Sequence, residues 1–254
     1  MSPNLDAIAA RLHAARRVLF ITGAGLSADS GLPTYRGIGG LYEGEDTDEG
    51  IPIEEALSGA MLKQRPALCW RYIHQIEAAC RGARPNRGHA VIAEVEASGR
   101  HVCVLTQNVD GLHRAAGSQR VIDIHGDVKQ LLCTACDWQE HVHDYGHLTF
   151  PPACPTCGAL VRPDVVLFGE LLPLDKLRAL HDELADGFDA VFSIGTTSVF
   201  PYIARPFIDA HRAGLPTVEI NPTATTVSSF ATWRVPQGAA VALDAIWSRA
   251  RALA

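Results

Sequence analysis

The sequence of 254 residues has no long hydrophobic run. No segment reaches the roughly 18–20 consecutive apolar residues that are needed to cross a membrane. The N-terminal segment carries an acidic residue, Asp6, and lacks the uninterrupted apolar core of a signal peptide. We therefore expect no membrane contact and a cytoplasmic location.

Positive charge is also in short supply. The chain has 22 Lys and Arg against 28 Asp and Glu, which gives a formal net charge of −6. Phosphate contacts require a basic surface, so we expect no direct nucleic-acid partner. Hydrophobic residues make up 47% of the chain, which is enough to form a core and disfavours global disorder. The sequence contains no internal repeat. We also expect the protein to be a monomer.

What the chain does contain is an alternation of short apolar segments with helical patterns. Four segments rich in Val and Ile predict buried strands: 17–22, 101–106, 190–194 and 216–220. Such strands, when they alternate with helices, are typical of a parallel sheet covered on both faces. The sequence therefore predicts an α/β fold with a Rossmann-like parallel sheet. Each strand ends in small or polar residues, and in open α/β sheets the ligand crevice lies outside these carboxyl ends.

Two segments interrupt the alternation and divide the chain into domains. Residues 38–80 begin with a Gly- and acid-rich loop, and helical stretches follow around 53–61 and 66–81. Residues 128–162 contain two cysteine pairs and no long apolar run. We expect these two insertions to form a small domain. The Rossmann-like domain would then comprise residues 1–37, 81–127 and 163–254.

Four of the seven cysteines have the spacing C-x2-C-x17-C-x2-C, at Cys133, Cys136, Cys154 and Cys157. This spacing is within the range of a zinc ribbon, in which each pair forms a tight turn and the two turns complete a tetrahedron. A redox dithiol would instead come as a single pair in a thioredoxin-like pattern. Four cysteines close a structural zinc site, and the metal would supply much of the folding energy of this segment.

Three histidines between the cysteine pairs are alternative ligands: His141, His143 and His147. Because four thiolates already complete the coordination of a structural zinc, we expect the histidines to be solvated.

A glycine-rich turn follows the first predicted strand at residues 23–28, Gly-Ala-Gly-Leu-Ser-Ala. Glycine there lets the backbone approach a diphosphate whose charge is met by amide N–H groups. The third glycine of the usual dinucleotide motif is missing, so a simple tight turn between strand and helix is an equal interpretation of this segment alone. The absence of G-x-x-x-x-G-K-[ST] disfavours a P-loop nucleotide triphosphatase.

Longer motifs decide between these interpretations. In chain order they are GAGLSADSGLPTYRG at 23–37, TQNVDGLH at 106–113, HGD at 125–127, the four cysteines, RPDVVLFGE at 162–170, GTTS at 195–198 and Asn221-Pro222. In these motifs the chain resembles the sirtuins, the Sir2-type NAD-dependent protein lysine deacylases of the bacterial single-domain form. The resemblance extends from about residue 17 to the C-terminus.

The resemblance implies that NAD is a co-substrate bound across the strand ends. The implied NAD-binding residues are Gly23, Ala24, Gly25, Ser27, Ala28, Thr34, Tyr35, Arg36, Gln107, Asn108, Asp110, Gly195, Thr196, Ser198, Asn221 and Ala239. Asn108 and Asp110 would orient the ribose hydroxyls and the nicotinamide amide. His125 would be the general base, a role that suits an imidazole because it titrates near neutral pH.

The implied reaction transfers an acyl group from lysine to ADP-ribose and releases nicotinamide. An acyl-lysine protein or peptide would add as a strand along 165–170, where the implied substrate-binding residues are Val165, Phe168, Gly169 and Glu170. Sirtuins that remove malonyl or succinyl groups carry Tyr-x-x-Arg in a small-domain helix. The corresponding positions here are Ile73 and Ile76, and a buried carboxylate would go unpaired beside them. We therefore expect uncharged acyl groups, acetyl first, while an apolar pair is also compatible with crotonyl or butyryl.

Two alternative functions are also compatible with parts of the sequence. Within the family, protein mono-ADP-ribosyl transfer would let another nucleophile capture the ribose, but that reaction does not need His125. Outside it, the chain could be a non-enzymatic zinc-ribbon interaction protein, which the strand-end motifs oppose. Two further histidines, His89 and His113, are expected to be structural.

Overall fold

The computed structural model describes residues 4–33, 47 and 49–253. The helices are Leu5–Ala14 (α1), Ala24–Ala28 (α2), Ile53–Ala56 (α3), Gly59–Gln64 (α4), Pro66–Cys80 (α5), Arg87–Ala97 (α6), Leu112–Ala115 (α7), Leu174–Asp186 (α8), Pro201–Arg212 (α9) and Ala239–Arg251 (α10), with a 3-10 turn at Ser228–Phe230. The strands are Arg17–Thr22 (β1), His101–Thr106 (β2), Val121–Asp123 (β3), Gly126–Cys133 (β4), Gln139–His141 (β5), Val161–Val165 (β6), Ala190–Ile194 (β7), Thr217–Ile220 (β8) and Trp233–Val235 (β9).

Parallel strands form the large sheet, in the order β3-β2-β1-β7-β8-β9. The four strands predicted from the sequence are its centre. At the carboxyl end of β1, Thr22 pairs with Thr106 of β2 and with Ile194 of β7. The polar segments that follow these three strands therefore begin side by side at one edge of the sheet. The predicted α/β fold is confirmed.

Alternate residues of β1 pack into two different cores, as the period of a strand requires. Val18 and Phe20 lie in one cluster with residues of α1, α6 and α10. Leu19 and Ile21 lie in another with residues of α8 and α9. The sheet is therefore covered on both faces, and in open α/β sheets of this kind the ligand crevice lies at the carboxyl ends of the strands. Within the described residues, no helix is long and apolar enough to cross a bilayer.

A second core joins the helical insertion to the cysteine-containing segment. Strands β5, β4 and β6 form an antiparallel sheet, and its side chains pack with those of α3, α4 and α5. Trp70 of α5 is fully buried, its ring 5.6 Å from that of Tyr145, and its Nε1 donates to the carbonyl of Val161 at 3.0 Å. The expected domain boundaries at 127/128 and 162/163 each fall inside a strand of this sheet.

The helical stretch expected over 53–61 is two short helices, α3 and α4. The break lies at Ser58, whose hydroxyl caps α4 by accepting from the Met61 N–H at 3.0 Å. Ser58 also forms an isolated parallel bridge with Phe168, through Gly59 N–H to Phe168 O at 3.1 Å and Phe168 N–H to Leu57 O at 3.0 Å. The break therefore ties the helical insertion to the 165–170 segment.

Candidate functional site

The glycine turn, from Gly23 at the end of β1 to Gly25 in the first turn of α2, packs against the turn that follows β7. The Gly25 N–H donates to the Gly195 carbonyl at 2.8 Å, and the Gly23 N–H donates to the Ile194 carbonyl at 3.1 Å. A Cβ on Gly25 would lie 2.7 Å from the Gly195 Cα, and one on Gly23 would lie 2.7 Å from the Thr196 Cβ. Both positions therefore require glycine because two backbones meet there.

A hydrogen-bonded chain of side chains lies next to this turn. The Asn108 amide donates to the Gly23 carbonyl at 3.1 Å and to the Ser27 hydroxyl at 3.0 Å. Ser27 in turn donates to Asp110 Oδ2 at 2.6 Å, and the Leu112 N–H donates to Asp110 Oδ1 at 2.9 Å. Burial raises the pKa of Asp110, while the bonds from Ser27 and Leu112 oppose that rise. The structure thus brings together three residues that the sequence assigned to the site.

Thr196 connects the ends of three strands. Its hydroxyl accepts from the Gln107 amide at 2.7 Å and from the Ser198 N–H at 3.1 Å, and its carbonyl accepts from the Asn221 amide at 3.2 Å. Ser198 has φ of +54°, a left-handed conformation that is uncommon for a residue other than glycine. The turns after β2, β7 and β8 are therefore fixed relative to one another.

His125 lies between a main-chain carbonyl and a tyrosine. Its Nδ1 is 3.2 Å from the Gln107 carbonyl oxygen, and its Nε2 is 2.7 Å from the Tyr202 hydroxyl. Burial lowers the pKa of His125, the bond to the Gln107 carbonyl opposes this, and the charge of Lys176 adds to it. Burial thus favours the neutral imidazole, which is the state that can accept a proton. The sequence did not identify Tyr202, because no motif distinguishes this residue in the helix after the 195–198 turn.

Three of the remaining NAD-binding residues expected from the sequence lie in α2 or at the start of α10. Ala24 lines a cleft that is also bordered by Ser27, Asn108 and Asp110, and Ala28 is exposed at the end of α2. Ala239 is buried at the start of α10, where the next N–H, of Ala240, donates to Asp29 at 2.8 Å. Thr34, Tyr35 and Arg36 lie outside the described residues.

One face of α5 forms the opposite side of the cleft. Ile76, Ala79 and Cys80 line it together with Leu32 and Pro33, facing Ser27, Asn108 and Asp110. Burial raises the pKa of Cys80 to about 12, so its thiol is neutral. Ile73 is 2% exposed and packs in the core of the small domain instead. Of the two isoleucines considered for the acyl pocket, only Ile76 therefore borders this cleft.

The 165–170 segment begins at the last residue of β6 and passes next to His125. The Val166 N–H donates to the His125 carbonyl at 2.9 Å, and the Phe168 side chain is 41% exposed. Arg162 donates to both oxygens of Glu170, at 2.6 and 2.8 Å, and the Leu167 N–H donates to the same carboxylate at 2.9 Å. The Glu170 carboxylate therefore stabilises the loop around Gly169, whose φ is +78°.

His89 and His113 form a buried pair beneath the site, with ring centroids 4.9 Å apart. Burial lowers the pKa of His89 to about 4 and that of His113 well below its usual value. His113 Nε2 lies 2.9 Å from the Thr22 hydroxyl, inside the sheet. Both rings are interior groups, as expected from the sequence.

The four cysteines of the predicted zinc site converge. Their sulfur atoms all lie within 4.8 Å of one another, with Cys133 to Cys157 at 3.4 Å and Cys136 to Cys154 at 3.7 Å. A tetrahedral zinc with Zn–S bonds of about 2.3 Å would separate its sulfurs by about 3.8 Å, whereas a disulfide requires about 2.05 Å. The donor set therefore fits one zinc ion.

The three histidines between the cysteine pairs, His141, His143 and His147, are exposed and lie outside this group.

Comparison with known proteins assigns the chain to a family. The model of the Sir2 family matches residues 23–201, so the chain belongs to the Sir2 family. It is similar to the NAD-dependent protein deacylase 2 of Pseudomonas aeruginosa, with 52% identity over 228 residues that cover 87% of each chain.

Solved structures agree with this assignment. An ADP-ribose complex of a Sir2 homologue variant superimposes with a TM-score of 0.88 at 31% identity, covering 97% of this chain and 96% of the other. A complex of a Sir2 homologue with NAD gives 0.87 at 32% identity, covering 98% and 94%. The resemblance read from the sequence is confirmed.

Proposed function

We infer that the chain is an NAD-dependent protein lysine deacylase that transfers the acyl group to ADP-ribose. The observation that carries this inference is the placement of His125, half-buried beside Gln107, at the strand ends next to the glycine turn. The related deacylase of P. aeruginosa and the NAD complex of a Sir2 homologue support the same activity.

The described residues fit NAD as the co-substrate. Gly23 and Gly25 leave the backbone of the turn free of side chains, and the polar groups of Ser27, Asn108 and Asp110 border the cleft beside it. Bound there, NAD would supply a ribose carbon that becomes electrophilic as neutral nicotinamide leaves. Asn108 and Asp110 would orient the nicotinamide side, while Thr196, Ser198 and Asn221 would hold the adenosine side.

His125 would then take a proton from a ribose hydroxyl, so that the hydroxyl oxygen can attack the acyl carbon. Nε2 is the atom that can accept this proton, because Nδ1 faces the Gln107 carbonyl, which only accepts. An acyl-lysine peptide would pair with the main chain of 165–170, where Val165 and Phe168 border the acyl chain. The zinc would have a structural role, since four thiolates leave no coordination position for substrate.

We propose that the preferred acyl groups are uncharged, with acetyl first. Among the described residues that line the cleft, none has a cationic side chain that could pair with an acyl carboxylate. Ile76 supplies an apolar surface there, which also suits crotonyl and butyryl groups. Cytoplasmic location and a monomeric state stay predictions; size-exclusion chromatography with light scattering tests the second.

The test is incubation of the protein with NAD and an acetyl-lysine peptide, with deacetylated peptide and nicotinamide both quantified. Equal amounts of the two products support the deacylase. Nicotinamide release with ADP-ribose attached to protein would instead show ADP-ribosyl transfer, and no turnover would overturn the inference.

The His125→Ala variant tests the role of the base. General-base catalysis contributes about 10²–10⁴-fold, so kcat should fall by at least about 100-fold with little change in thermal stability. His181→Ala is the matched control, because the His181 side chain is 83% exposed on α8 and should be dispensable. Full activity of His125→Ala would exclude this mechanism.

A further inference from the structure

The contacts of His125 specify its protonation as well as its position. The Gln107 carbonyl oxygen, 3.2 Å from Nδ1, can only accept, so Nδ1 carries the hydrogen. In the neutral ring Nε2 is then the acceptor, and the Tyr202 hydroxyl, at 2.7 Å, is the donor. The atom that must accept the ribose proton is therefore already bonded to a side chain of α9.

Tyr202 is held in place independently of this hydrogen bond. Its ring stacks on Phe200, with centroids 5.4 Å apart and planes 14° from parallel, and it packs against the core formed by α8, α9 and the sheet. The imidazole meets it edge-on at 5.9 Å and 80°. Because burial raises the pKa of Tyr202 to about 12, the phenol keeps its proton and remains a donor throughout the physiological range.

We propose that Tyr202 is a positioning residue for the general base: its hydroxyl donates to His125 Nε2, fixes the Nδ1–H form of the ring, and holds the lone pair in place until a ribose hydroxyl replaces it. This inference rests on the proposed function. A single lone pair accepts one such bond at a time, so the Tyr202 hydroxyl must leave Nε2 before the ribose hydroxyl can deliver its proton there. The proton moves from ribose oxygen to Nε2, and Tyr202 keeps its own.

The hydrogen bond from Tyr202 affects the pKa of His125. Donation to the Nε2 lone pair stabilises neutral His125, so its removal should raise the pKa of His125. The charged groups near His125 are the same whether or not the Tyr202 hydroxyl is present. They are Lys176 of α8, whose Nζ bonds the carbonyl of Asp123 at 2.9 Å and its carboxylate at 3.0 Å, and Asp164 of β6, 3.9 Å from the same Nζ.

The test is Tyr202→Phe, which removes the hydroxyl and keeps the stacked ring. The acid limb of the pH profile of kcat/KM for NAD reports the base of the free enzyme. We expect this limb to move to higher pH by about half to one unit, as the loss of one ordinary hydrogen bond predicts. The imidazole resonance of His125, identified by its absence in His125→Gln, should titrate with the same upward shift.

Tyr72→Phe is the matched control, because the Tyr72 hydroxyl is buried with no hydrogen-bond partner in the described part of the chain. It should leave the pKa of His125 and the pH profile unchanged. An unchanged His125 titration in folded Tyr202→Phe would overturn the proposal. Because the resonance can be followed without substrate, this result is distinguishable from a failure of the deacylase assignment, which would appear as an absence of turnover in the wild-type protein.

Discussion

The two sides of the cleft are built on different principles. The strand-end wall, made of the turns after β1, β2 and β7, is polar, and hydrogen bonds of 2.6–3.1 Å join its side chains to one another and to the main chain. The α5 wall, made of Ile76, Ala79 and Cys80, is largely apolar and faces it. The first wall presents polar groups, whereas the second presents a largely apolar surface.

The two walls also differ in what holds them. The strand-end wall is fixed by the large sheet itself, because the register of β1, β2 and β7 brings the three turns together. The α5 wall is held indirectly, because α5 packs on the cysteine-containing segment through Trp70 and Tyr145. We therefore expect the proposed chemistry and the proposed acyl specificity to respond to separate perturbations.

Removal of zinc should be the largest perturbation, and it should act through the α5 wall. Structural zinc contributes about 10–16 kcal/mol to the folding of zinc-finger peptides, and here the metal segment supports α5. We therefore expect a strong chelator, or Cys154→Ser, to abolish deacylation. Amide hydrogen–deuterium exchange, measured by mass spectrometry, should become faster in α5 and β4–β6, while β1, β2 and β7 keep their protection.

Readdition of zinc to the chelated protein is the control, and it should restore both protection and turnover. Normal turnover of a folded, metal-free protein would contradict the dependence of the α5 wall on the metal. Equal loss of protection in both walls would show that the large sheet depends on zinc as well.

A smaller effect is expected from Gly25→Ala, which acts on the strand-end wall. The new Cβ would lie 2.7 Å from the Gly195 Cα, so two backbone segments must separate, at a cost of about 1–3 kcal/mol. The KM for NAD should rise about tenfold or more, while the ratio of rates among acyl groups stays constant. Gly238→Ala is the control, because its Cβ would lie at least 3.5 Å from Asp29 at a φ of −59°. An unchanged KM in Gly25→Ala would mean that the turn is not closely packed against NAD.

The strand-end wall could largely be predicted from the sequence. Buried strands are continuous apolar segments, and their ends are marked by polar residues, so the residues at 23–27, 107–110 and 195–198 could be named before their contacts were known. The zinc cysteines could be named for a similar reason, because local spacing determines how two turns of C-x-x-C present four thiolates. In both cases the signal is local in the sequence.

The rest of the site depends on contacts between distant segments. Tyr202 reaches His125 across 77 positions, and no local pattern indicates that its hydroxyl points to Nε2. Ile73 and Ile76 are three positions apart on one helix, yet one packs in the core and the other borders the cleft. The partner of Glu170, Arg162, was inside a recognised motif, but the motif did not show that the two side chains pair.

The smallest expected effect concerns acyl choice and acts on the α5 wall alone. Ile76→Arg places a guanidinium where the described lining has no cation, so the carboxylate of a succinyl group would no longer be buried unpaired. We expect kcat/KM for succinyl-lysine peptide to rise about five- to tenfold, and that for acetyl-lysine peptide to fall several-fold, with the KM for NAD nearly constant. Ile76→Met, similar in length and uncharged, should leave succinyl activity at the wild-type level. If Ile76→Arg raised the KM for NAD and left the acyl ratio unchanged, Ile76 would contact the co-substrate rather than the acyl group, and the separation of the two walls would be wrong.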